Sequence, residues 1–136
     1  MTRINIIPVS ELYDQHLIAE YREITMVSAA LNRTLRSKVG INKSRIASRY
    51  RLNAGHVYFF YDKGKYLDER YSQLIAEMKR RGFNCDPNRK FPKEIFMENG
   101  LYNDWSPTLE DYKVIRDRID EKLRMRPDWY RKTLVK

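Results

Sequence analysis

Threonine at position 2 is small enough for Met1 to be trimmed by methionine aminopeptidase, which leaves a threonine α-amine at the chain end. Such an amine has a pKa of about 7.7–8.0, against about 10.4 for a lysine side chain, so a useful fraction is neutral and nucleophilic near pH 7. The natural acid/base companion of an amine nucleophile is a positioned carboxylate. Glu23 is the candidate, directly after Arg22 on a stretch of helical periodicity. At about 100° per residue, His16 and Glu23 fall roughly 20° apart on the flank of that helix, whereas Arg22 projects toward its solvent side. From periodicity alone, Glu23 reads as a solvated helix carboxylate rather than a catalytic one, and His16 can be read as a half-buried histidine bonded to backbone. Arg3 and Arg22 read either as surface charges or as the fixed cations that a phosphate ligand needs, since arginine forks phosphate well.

Three helices have to position these groups. Leu17, Tyr21, Ile24, Ser28, Leu31 and Leu35 keep the i, i+4, i+7 rhythm of a buried stripe and predict a helix from near Asp14 into the mid-30s. A second is predicted over roughly Lys65–Arg81, with Leu67, Tyr71, Leu74 and Met78 inward, Gly82 as its stop, and Lys79-Arg80-Arg81 as helix-end charge complementing the dipole. A third spans about Pro107–Arg126, with Ser106 as N-cap, Pro107 in the first turn and Pro127 as terminator. Arg118 and Lys122, spaced i, i+4, share one stripe of it, either a solvated basic face or a phosphate-binding one. Trp129 and Tyr130 after Pro127 are candidates for base stacking or for closing the core.

The segments 38–63 and 83–105, rich in Asn, Gly, Pro and charge, read as long irregular connections of the kind that form binding surfaces. Within the first, Val57–Tyr61 is strand-like in composition but lacks a partner, and reads as a buried extended segment; His56, beside a close-packing Gly55, reads as structural. The expected fold is therefore all-α, a single compact domain over 1–136 with three helices and no substantial sheet.

Bulk properties point to a partner. The chain has 27 Lys+Arg against 18 Asp+Glu, a net charge of +9, and nucleic acid is the first polyanion to consider for a basic domain of this size. The basic residues are spread along the 136 positions, so a binding footprint forms only on folding. Cys85 is the lone cysteine, which excludes an intrachain disulfide and argues for a reducing compartment; with His16 and His56 as the only histidines, a structural zinc or iron–sulfur site is not expected. No stretch has the apolar length of a signal peptide or membrane span. A cytoplasmic monomer without metal or cofactor is the expectation.

Several ordered blocks resemble one family. They are Met1-Thr2-Arg3-Ile4-Asn5; Val9 to Glu23; Ala54-Gly55-His56-Val57-Tyr58-Phe59-Phe60-Tyr61-Asp62-Lys63; Leu74-Ile75-Ala76-Glu77 with Lys79-Arg80-Arg81-Gly82-Phe83-Asn84; and Arg118-Ile119-Asp120-Glu121-Lys122 with Arg126-Pro127-Asp128-Trp129-Tyr130. In this order and at these separations they resemble the bacteriophage-type pyrimidine-dimer DNA glycosylases, the endonuclease V family. The match runs the length of the chain and is weak over 25–53 and 85–112.

The resemblance implies double-stranded, ultraviolet-damaged DNA as partner and a two-step reaction. The Thr2 α-amine attacks C1′ of the 5′ nucleotide of a cyclobutane dimer, and the resulting imine drives β-elimination. Glu23 is implied as the acid/base group; Arg3, Gln15, His16, Arg22, Arg118 and Lys122 as DNA contacts; and a base as flipped out of the stack. Two departures stand out. Met26 occupies a position where the family typically carries an arginine, and the tail Arg131-Lys132-Thr133-Leu134-Val135-Lys136 lacks the aromatic, glycine-rich character expected there. A non-catalytic DNA-binding protein of the same fold, or a glycosylase/lyase for another damaged base, stays open.

Overall fold

The computed structural model describes residues 2–134. Met1, on whose removal the proposed amine depends, and Val135 and Lys136 of the tail lie outside the described residues. Among the described residues the secondary structure is entirely helical: α1 (Asp14–Arg36), α2 (His56–Phe59), α3 (Gly64–Arg80), α4 (Glu94–Glu98) and α5 (Leu109–Met125), with short 3-10 turns between. The three long helices follow the periodicity; two short ones were not expected. No described helix is long and apolar enough to cross a membrane.

The α1 stripe packs chiefly on α3, burying Leu17, Tyr21, Ile24, Val27 and Leu31 against Leu67, Tyr71, Leu74 and Met78. Each such side chain removed from water contributes about 1.5–3 kcal/mol. The stripe is not purely apolar, for Glu20 and Arg70 sit within it at 0% and 3% exposure.

Val57–Tyr61 is helical rather than extended. Asn53 (φ 63°) and Gly55 (φ 84°) take left-handed conformations and turn the chain abruptly into α2, and Phe60–Asp62 then forms a 3-10 turn. Left-handed backbone suits Gly and is tolerated by Asn. Phe59 and Phe60 of this segment join Tyr50, Tyr66 and Trp105 in a cluster whose rings meet mostly edge to face. Gly64 opens α3 where Phe96 of α4 presses in, since a Cβ there would lie 2.5 Å from that side chain.

Two expected helix ends move. Thr108, not Ser106, caps α5, in a reciprocal capping box with Asp111 (3.2 and 2.9 Å), so Pro107 precedes the helix. Arg81 is not simple helix-end charge. Its guanidinium is buried, paired with Glu77 at 2.8 Å and with Asp14 at the start of α1 at 2.9 Å.

Candidate active site

The site begins with how the first residues are held. Ile4 N–H donates to His56 Nε2 at 2.8 Å, and the Tyr50 hydroxyl donates to Ile4 O at 2.7 Å. Asn5 donates to Glu20 Oε1 twice, from its backbone (2.9 Å) and from its side-chain amide (3.0 Å). Arg70 closes on the same carboxylate, Nε to Oε2 at 2.6 Å and Nη2 to Oε1 at 3.1 Å, and its Nη1 donates to Ile7 O. A buried carboxylate persists only when paired and hydrogen-bonded on its remaining lone pairs, and Glu20 is. Because the His56 ring also bonds Arg51 O through Nδ1 (2.7 Å), Nδ1 is the donor and Nε2 the acceptor; burial holds this histidine below its ordinary pKa, as neutral imidazole. Between these anchors Ile6 is forced to φ 47°, a conformation that costs a β-branched residue about 1–3 kcal/mol. The segment is fixed at both ends, and Thr2 is aimed by it.

Thr2 and Arg3 then form one wall of a cleft of about 380 Å³, completed by His16, Ala19 and Glu23 of α1, Asn53, His56, and Arg118 and Lys122 of α5. Glu23 is half-buried, and among the described residues its carboxylate has no ion-pair or side-chain hydrogen-bond partner, unlike Glu20, Glu77 and Asp14. Arg3 bonds Asn5 Oδ1 at 2.8 Å, and burial, reinforced by the positive charge of Arg118, holds it below its ordinary pKa. A guanidinium short of water and near another cation gains most from an anion entering the cleft. Arg118 reaches Asn53 Oδ1 at 3.4 Å on the far wall.

His16 is 5% exposed, and neither ring nitrogen has a hydrogen-bond partner. Burial first, and the charge of Arg3 second, bring its pKa down to about 4, so it is neutral near pH 7. Tyr130 stacks on it at 4.7 Å and 29°. The His16 ring lines the cleft with both nitrogens buried.

The remaining sequence candidates lie around this cleft rather than in it. Gln15 is spent on the C-terminal segment, donating to Trp129 O at 2.7 Å and accepting from Arg131 N–H at 3.0 Å. Asp14 completes that clasp by accepting from the backbone and hydroxyl of Thr133 at 3.1 and 2.6 Å. Trp129 is 48% exposed, with the Arg126 guanidinium over its ring at 5.0 Å, and with Tyr130 it borders a second depression that shares Arg3, His16 and Lys122 with the cleft. Arg22 is exposed and lines neither. Met26 is half-exposed beside Thr2, with its sulfur 3.5 Å from the Thr2 hydroxyl.

Sequence reasoning missed Glu20, Arg70, Tyr50 and Asn53. A signal existed for the first two. Glu20 falls between Leu17 and Ile24, and Arg70 between Leu67 and Leu74, each at i+3 and i+4 spacing on an apolar stripe. Opposite charges on the facing stripes of two helices predict a buried pair.

The fold and site together define a class: a small, basic, all-helical protein in which a buried ion pair fixes the first residues beside an unpaired carboxylate and a row of cations. The sequence pattern of the pyrimidine dimer DNA glycosylases matches residues 1–91 of the 136. The chain belongs to that family of DNA repair glycosylases, and DNA is its substrate. The matched stretch includes Thr2, Arg3, Gln15, His16, Arg22 and Glu23. Arg118 and Lys122 lie beyond it and meet the cleft through the packing of α5.

Proposed function

We propose that the chain excises cyclobutane pyrimidine dimers from double-stranded, ultraviolet-damaged DNA as a monomer, and then nicks the strand. With Met1 removed, the Thr2 α-amine attacks C1′ of the 5′ nucleotide of the dimer. The N-glycosidic bond breaks and its electron pair leaves with the base. The opened sugar forms an imine with the amine; loss of a C2′ proton then expels the 3′ phosphate by β-elimination. Glu23 stabilises the developing positive charge on the sugar and carries protons. Arg3, Arg118 and Lys122 hold phosphates, with Arg22 contacting the backbone outside the cleft. Tyr130 and Trp129 offer stacking surfaces to bases displaced when the duplex is opened. Neutral His16 supplies a hydrogen bond to whatever enters.

One observation carries this reading. Thr2 and the unpaired Glu23 line the same cleft, with Arg3, Arg118 and Lys122 around them. The test is borohydride trapping on irradiated and untreated duplex, followed by mass spectrometry of the adduct. An adduct on residue 2 with irradiated DNA is expected, and Thr2→Ala should still trap, since the threonine hydroxyl has no role in the reaction. Retention of Met1 misplaces the amine by a residue and should cost orders of magnitude in rate. An adduct on a lysine, or full activity with Met1 in place, overturns the mechanism. Binding to irradiated DNA without trapping supports instead a non-catalytic protein of this fold, a reading that Met26 beside Thr2 favours.

A further inference from the structure

Tyr50 and His56 are buried where packing alone would be served by apolar side chains. The Tyr50 ring stacks on Trp105 at 6.2 Å and meets His56, Phe59 and Phe60 edge to face, and His56 meets Phe60 in the same way at 5.4 Å. Phenylalanine and leucine would fill this space without adding polar groups that burial penalises. The two polar groups are instead spent on one residue: the Tyr50 hydroxyl donates to Ile4 O, and His56 Nε2 accepts from Ile4 N–H. Burial raises the Tyr50 pKa and lowers that of His56, so the donor and the acceptor both persist near pH 7. The bonds fall on successive peptide planes, each of them rigid. His56 holds the plane between Arg3 and Ile4. Tyr50 holds the next plane by its carbonyl edge, while Glu20 of α1 takes the N–H edge of that same plane at 2.9 Å. The left-handed Ile6 (φ 47°) follows at once, and such backbone persists only where its surroundings over-determine it.

We propose that Tyr50 and His56 are positioning residues of the glycosylase reaction, which clamp Ile4 and so set where the α-amine meets the sugar, a role that rests on the Thr2 amine being the nucleophile. Only Thr2 and Arg3 separate the clamped amide from that amine, a span of at most about 7 Å. A tilt of about 10° at that distance moves the amine by about 1 Å, and a misplacement of about 1 Å can cost on the order of 10²-fold in rate. Tyr50 does not line the cleft, so its effect reaches the reaction through Ile4 alone. His56 lines the cleft with its ring already committed at both nitrogens, to Ile4 N–H and to Arg51 O, and has no bond left for DNA. Tyr50 and His56 also belong to the chain segment that carries Gly55 in a left-handed turn, which brings the clamp's two halves to the same residue.

The experiment pairs amide hydrogen exchange of the free protein with single-turnover base release from a single-dimer duplex at saturation. Tyr50→Phe keeps the ring contacts and loses one hydroxyl. Release should slow on the order of 10-fold while the Kd for the duplex stays at wild type. Exchange of the Ile4 amide should quicken on the order of 10-fold, although that amide bonds His56 and not Tyr50. His56→Leu should slow release on the order of 10²-fold, and His56→Gln, whose side-chain oxygen accepts in place of Nε2, should recover most of the loss. Tyr71→Phe removes the hydroxyl of another core tyrosine, one bonded to Arg89 O at 3.2 Å, and serves as the matched control, with release and Ile4 exchange equal to wild type. Tyr50→Phe carries the test whether or not His56→Leu folds. Wild-type release or exchange in Tyr50→Phe, an equal effect of Tyr71→Phe, a Kd that rises as far as the rate falls, or His56→Gln no faster than His56→Leu overturns the proposal. The exchange arm requires no DNA, so the two readings fail separately. A wild-type protein that traps on residue 2, with variants that release base as fast, removes only the clamp's role. Quickened exchange in variants of a protein that never traps removes the catalytic reading, and this role with it.

Discussion

Glu23 is distinguished from its neighbours by what it does not touch. Glu20, one turn earlier on α1, is wholly buried and committed to Arg70 and Asn5, while Glu23 faces the cleft with its carboxylate uncommitted. The same side chain on the same helix therefore stands in two settings, one buried and bonded and the other open to the cleft. A carboxylate acting in proton transfer contributes about 10²–10⁴-fold to rate. Glu23→Gln keeps the shape and removes the charge, so single-turnover base release from dimer-containing duplex should fall by that factor while affinity stays near wild type. Release at a near-normal rate would take Glu23 out of the mechanism. That His16 shares a helix flank with Glu23 was legible from their spacing, and both line the cleft. The lack of any partner for His16 was not, because that depends on Tyr130 arriving from far along the chain.

At the scale of elements, the N-terminal segment is positioned by the α1–α3 packing, and the Glu20–Arg70 pair is where those helices reach it. Arg70→Leu leaves the Glu20 carboxylate buried with only Asn5 for company, which should cost about 3–5 kcal/mol in urea unfolding. The double variant Glu20→Leu/Arg70→Leu removes both charges and should recover much of that stability. It also takes away Glu20 Oε1, the one acceptor of both Asn5 donors, so imine trapping should stay slow even when the fold is restored. A double variant that traps at the wild-type rate would show that the pair serves stability alone. Periodicity made the three long helices and their inward faces legible, since a buried stripe is written locally. It did not reveal α2, because Val57-Tyr58-Phe59-Phe60 has strand composition and only the left-handed turn at Asn53 and Gly55 commits it to a helix. It put the cap of α5 at Ser106, because a serine before Pro107 suits the role and only the reciprocal bond to Asp111 marks Thr108. The bonds of Gln15 to Trp129 and Arg131 were not legible, because those residues join it only when the C-terminal segment folds back.

Over the whole molecule, basic residues spread along the sequence gather only through folding, as Arg118 and Lys122 come to line one cleft with Arg3. Arg118→Ala or Lys122→Ala should each flatten the salt dependence of duplex binding by about one unit; an unchanged slope would mean that α5 does not face DNA. Folding also sets an acid limit. His16, at about 4, and His56, also below its ordinary value, are held neutral chiefly by burial. Between pH 6.5 and 4 the unfolded chain therefore takes up protons that the folded one refuses, so this stability is complete above pH 6.5 and is lost as pH falls toward 4. Asp14 follows at lower pH: burial pushes its pKa up, but hydrogen bonds from Thr133 and Arg81 outweigh this and hold it down. Glu77 is lowered first by its hydrogen bond to Arg80 and further by Arg81. The protein should thus lose stability well above the carboxylate range. His16→Phe preserves the stacking on Tyr130 and cannot take up a proton, so the stability difference between pH 7 and pH 4.5 in urea should shrink by on the order of 1–3 kcal/mol. An equal pH difference in both proteins would mean that His16 is solvated and titrates normally, and that the C-terminal segment does not cover it.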